Sequence, residues 1–172
     1  MSHAKNKVEW CVKKAEKEMK NGGKHRGLLK VKPNLAIARG HIEKAERNIK
    51  ATLYLQKGGY TDWCSSTLFY SIYHCFLAIL AKFGYESRNQ ECTFALIKSF
   101  IESSEIDIEK EDMETIAGMD VEEKQHSHKS IVNIREEYQY TTKLSLEDET
   151  LEELLALAKK ILDKTKVIIE KS

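Results

Sequence analysis

The stretch TDWCSSTLFYSIYHCFLAILAKF, residues 61–83, decides how the rest of the chain is read. From Leu68 to Phe83 only Tyr70, Ser71, Tyr73, His74 and Lys82 interrupt an apolar run. A helix that is apolar almost all round belongs in the middle of a bundle, because a surface helix needs one polar face. Thr61 is placed to cap its start, since a hydroxyl there can accept from a free first-turn amide. Gly84 ends it.

Working outward, Pro33 and Asn34 open a long helix that runs to about Lys57. Ile42, Ala45, Ile49 and Leu53 form its stripe, and Arg39, Glu43, Lys44, Arg47 and Lys50 its polar face. Gly58 and Gly59 close it. On the other side, Glu91 to Ser103 turns Phe94, Ile97, Phe100 and Ile101 inward, and a short acidic helix covers Ile108 to Gly118. A polar loop from Asp120 to Lys129 precedes a helix from Ser130 to Thr141. Tyr140 to Leu146 is ambiguous and compatible with extended chain. The last helix starts near Thr150, whose spacing to Glu153 is that of a capping box. Leu151, Leu154, Leu155, Ala158, Ile161, Leu162 and Ile169 make its seam.

At the N-terminus, Val8 to Asn21 reads as a helix, with Val8, Cys11, Val12, Ala15 and Met19 on one face and Asn21, Gly22 and Gly23 stopping it. A basic connector, Lys24 to Lys32, follows. Pro33 is the only proline of 172 residues, which suits long uninterrupted helices. The fold class expected is all-α: an up-down bundle of four long helices with additional short ones. The expected division is a basic helix and connector over residues 1–32 and a bundle over 33–172.

Net charge is +1, but unevenly spread. Residues 1–32 hold ten Lys/Arg against three Glu, and the remainder eighteen Lys/Arg against twenty-four Asp/Glu. A basic arm on an acidic body suits an anionic partner. No run of about 18 uncharged apolar residues is present, so no membrane span is expected. Cys11, Cys64, Cys75 and Cys92 form no CxxC pair, three of them sit in apolar surroundings where a free thiol acts as a small hydrophobe, and a cytoplasmic protein is expected.

Chemistry-bearing patterns are sparse. There is no GxSxG, HExxH or phosphate loop. His126 and His128, near Asp120, Glu122 and Glu123, lack a firm third ligand, so no metal and no cofactor is expected. His74 sits on the central helix beside Tyr70 and Tyr73, as a core imidazole or a ligand contact. Arg88 and Asn89 follow that helix. Arg135 and Tyr138, three apart on a helix, share a face on which a guanidinium can hold phosphate and a phenol can stack a base.

His41 to Gly84 resembles the HEPN domain, the "higher eukaryotes and prokaryotes nucleotide-binding" family. The matching residues are His41, Ile42, Lys44, Ala45, Glu46 and Arg47, then Gly58, Gly59 and Tyr60. Phe69 to His74, Ala78, Ile79, Leu80 and Gly84 follow. Downstream, Ile134 to Tyr138 is similar to the Arg-x-x-Ala-Asp-Tyr segment of one prokaryotic branch. The resemblance covers roughly residues 34–172. It implies a helical bundle, a homodimer, association with nucleotide or RNA, and pairing with a nucleotidyltransferase-like protein in toxin–antitoxin systems.

Ribonuclease members carry an arginine and, after four to six residues, a histidine. None of this chain's five arginines, Arg26, Arg39, Arg47, Arg88 and Arg135, has that histidine. The reading is therefore a non-catalytic binding module, with Arg47, Arg88, Asn89, Arg135, Tyr138 and His74 as ligand-contact residues. The alternatives are a divergent metal-independent endoribonuclease, with His74 or a tyrosine as proton shuttle, and a purely structural protein partner.

Overall fold

The computed structural model describes residues 2–118 and 129–171. The His126 and His128 reading, with Asp120, Glu122 and Glu123, lies outside the described residues. In chain order the elements are α1 (His3–Lys20), β1 (Leu28–Lys30), α2 (Leu35–Lys57), α3 (Thr61–Lys82), β2 (Tyr85–Ser87), α4 (Gln90–Glu102), α5 (Lys110–Ala117), α6 (Ile131–Tyr140) and α7 (Asp148–Glu170). The class is all-α, with one small two-stranded sheet.

The apolar stretch is the axis of the bundle. α2 runs antiparallel along α3, α7 closes one side of the pair, and α4 and α6 cover the back of α3. Leu68, Phe69, Ile72, Phe76, Ile79 and Leu80 are all buried there. By length and composition alone α3 does qualify as a membrane span, contrary to the sequence reading. Within the bundle, however, 67% of that window is buried, so its apolar surface is already spent on the core. The α7 seam meets it through Leu151, Leu154, Ala158, Ile161 and Leu162.

Three helix starts differ from expectation, and α1 begins at His3, ahead of Val8, with Ser2 as its N-cap. Tyr60, not Thr61, is the N-cap of α3, and no side chain caps it. The Thr61 hydroxyl instead accepts from the amide of Leu146 at 3.0 Å, pinning the 141–147 segment to the head of α3. A distant buried backbone donor outcompetes the local cap, because an unpaired amide is costly. α7 begins at Asp148, ahead of Thr150, with Glu147 at its N-cap. Asp148 and Glu149 supply negative charge to its first turn, where the helix dipole favours it.

The connector also does more than connect. Leu28, Leu29 and Lys30 pair antiparallel with Ser87, Glu86 and Tyr85, a ribbon the sequence reading did not foresee. Two glycines permit it. Gly84 turns the chain from α3 into β2 at φ +78°, and a Cβ there would lie 2.7 Å from the carbonyl of Val31. A Cβ on Gly27 would lie 2.2 Å from the carbonyl of Cys11, so only glycine lets the connector pass this close to α1.

Cys11 and Cys92 are joined in a disulfide that ties α1 to the first turn of α4. The expectation of free thiols holds for Cys64 and Cys75, which are free and buried, and is corrected for the bonded pair. Spacing in the sequence carried no sign of the bond, because the two cysteines meet only once α1 lies on α4.

Candidate nucleotide and RNA interface

The ribbon and the connector gather basic side chains at one corner of the bundle. Lys24, His25 and Arg26 arrive from the connector, Arg88 from the loop after β2. Together with Glu18 they line an open cleft of about 520 Å³. Backbone bonds fix the pieces: the Arg88 amide donates to the Gly27 carbonyl at 3.3 Å, and the Arg26 amide to the Glu18 carboxylate.

Glu86 is the hub. Its Oε1 lies 3.2 Å from His25 Nε2 and 2.8 Å from Arg88 Nε. Burial pushes the Glu86 carboxyl up, but the hydrogen bonds from His25 and Arg88 prevail and hold it below the usual range. The carboxylate therefore stays ionised and orients the guanidinium. His25 is only 3% exposed, and its Nδ1 has no partner. Arg88 spends one donor on Glu86 and remains half-exposed, leaving the rest of its fork for an anion.

The other expected contacts are dispersed. Asn89 is the N-cap of α4, its Oδ1 accepting from the Cys92 amide at 3.0 Å, so its side chain has a structural duty. The Arg135 guanidinium lies over the ring of Phe69, 4.3 Å from its centroid, and is 13% exposed. Tyr138 sits beside Lys143, whose ammonium is 5.9 Å from the ring centroid. The guanidinium and the phenol thus serve different neighbours and do not form one joint pocket. Arg47 is exposed on the outer face of α2.

His74 meets His41 across the α2–α3 pair, Nδ1 to Nδ1 at 3.0 Å. Only one proton fits between the two nitrogens. Burial, then the neighbouring His41 and Lys44, push the His74 pKa down to about 4, and burial with Lys44 also lowers that of His41. Both imidazoles are neutral at neutral pH. Among the described residues no group of three or more His, Cys, Asp or Glu is placed to hold a metal ion.

Arg88 and the basic arm around Lys24 and Arg26 are legible in the sequence, whereas His25 and Glu86 are not. A histidine between two cations was the available signal; its burial was not.

An antiparallel helical bundle with a cationic corner built on its connector is the class that fold and geometry define. Residues 38–168 match the family model described as the HEPN domain, and the chain belongs to that family. That membership associates it with nucleotide- and RNA-related function. No curated protein matches the chain.

Proposed function

We propose that this chain is a non-catalytic HEPN-type binding module that holds a nucleotide or RNA by its phosphates at the corner of Lys24, Arg26 and Arg88. The observation that carries this is the Glu86 hub, which orients the Arg88 guanidinium beside two further cations. Such an arrangement suits phosphate oxygens, and each neutralised phosphate releases counterions.

The absence of the arginine-to-histidine spacing supports a binding role over cleavage. In keeping with the family resemblance, the module would act as a homodimer paired with a nucleotidyltransferase-like protein, in a toxin–antitoxin arrangement.

The test is fluorescence anisotropy with labelled RNA across a salt series. Binding should weaken steadily as salt rises. Lys24→Ala, Arg26→Ala and Arg88→Ala should each lower the log–log salt slope by about 1, with the thermal midpoint unchanged. The same RNA, incubated in chelator, should remain intact. Cleavage that disappears in His74→Ala would show an enzyme instead.

A further inference from the structure

We infer that the outer face of α2 and the adjoining end of the α2–α3 hairpin form a stacking track for single-stranded RNA. The inference rests on the nucleotide-or-RNA reading above and names the form of ligand.

Three aromatic side chains stand in solvent at the hairpin end: Tyr54 is 79% exposed, Tyr60 60% and Trp63 59%. None of them is among the buried or partly buried side chains of the hydrophobic core. Burying such rings is strongly favourable, so leaving three together at one end of a fold needs a reason. Trp10, also exposed, differs: Lys7 and Lys14 lie over its ring at 4.6 and 5.1 Å. The ring of Tyr60 lies close to Gly58, where a Cβ would approach it to 3.0 Å, so the turn helps to position the ring.

Charge identifies the occupant. Arg47, Lys50, Tyr54 and Lys57 share one face of α2 by helical spacing, and all four are exposed. Arg39 and Lys44 lie further back along the same helix, exposed as well. Glu46 is held by Lys166 at 2.7 Å, which leaves Glu43 as the exposed acid of this helix. A second copy docking through the same patch would set Arg47, Lys50 and Lys57 against their own like charges, because a two-fold contact uses the same surface twice. A polyanion with flat faces has no such conflict. Exposed rings alternating with cations follow a single strand, whose bases are free to stack; a duplex hides those faces.

The experiment titrates the full chain, carrying Trp10→Phe so that Trp63 alone reports, with oligouridylate, an RNA duplex of equal length and uridine monophosphate. Oligouridylate should quench the tryptophan and bind more tightly than the duplex. Tyr54→Ala and Trp63→Ala, followed by anisotropy, should each weaken oligouridylate about tenfold or more while leaving the monophosphate unchanged. Lys50→Ala with Lys57→Ala should flatten the salt dependence. If the aromatic variants bind oligouridylate like the parent while Arg88→Ala does not, the track is wrong and the binding module stands. If the parent binds none of the three, both fall. If Trp63→Ala dissolves a dimer in sedimentation without changing RNA affinity, the patch belongs to a second copy.

Discussion

α3 and α1 are helices of similar length, 22 and 18 residues, held to the molecule by different means. Twelve residues of α3 are buried, among them Phe69, Ile72 and Phe76. In α1 only Ala4, Cys11 and Ala15 are buried, and two of those are alanines. At roughly 25 cal/mol per Å² of apolar surface, small side chains recover little from burial. α3 is fixed by the surface it removes from water, whereas α1 depends on a covalent bond to α4. The contrast separates what must form for any fold to exist from what is fastened onto it, and each half can be attacked alone.

The largest effect should come from the α3 side. Ile72→Asp places an unpaired carboxylate where the side chain is fully buried, at a cost on the order of 4 kcal/mol or more. Denaturant unfolding should show a collapsed midpoint or no folded baseline. An unchanged midpoint would mean that α3 is not the element holding the bundle together.

Reducing Cys11–Cys92 strikes the α1 side. The link spans 81 positions, and removing such a constraint typically costs about 2–4 kcal/mol. The loss should be local. Amide exchange should accelerate along α1 and β1 while α3 keeps its protection. Equal loss of protection in both helices would erase the distinction.

The smallest effect concerns the seam between α2 and α3. A histidine whose pKa is pushed down by the fold takes up a proton more readily when unfolded. The stability tied to His74 is therefore fully present above about pH 6.5 and declines as pH falls towards about 4. His74→Gln should flatten the dependence of the thermal midpoint on pH across that window. Parallel profiles for parent and variant would show that the pair does not titrate with folding.

The sequence was most readable where one helix alone carries the pattern. The apolar run of α3, the seam of α7 and the glycine stops at 22–23, 58–59 and 84 are all local signals, and each of these helices lies where its pattern puts it. What stayed hidden depends on partners far away in the chain. Three-residue strands are too short for any period, and Leu28 through Lys30 pair with residues that lie beyond α2 and α3 in the chain. Thr61 has the chemistry of a cap but is engaged by Leu146.

The candidate site divides in the same way. Arg88, Lys24 and Arg26 show as cations from composition alone. Glu86 resembles any other acid until β2 sets it between His25 and Arg88. Asn89 is the instructive case. It invites a reading as a polar ligand contact, yet Asn followed by a helical run is also a helix-start signal, and the cap claims the side chain.

The disulfide bears on how the molecule comes apart. Gly22 and Gly23 lie in an exposed turn beyond α1, the sort of site a protease cuts first. A nick there severs the backbone between Cys11 and Cys92 but leaves the bond joining them. The clipped protein would migrate as a single band on a non-reducing gel and split into a short and a long fragment once thiol is added.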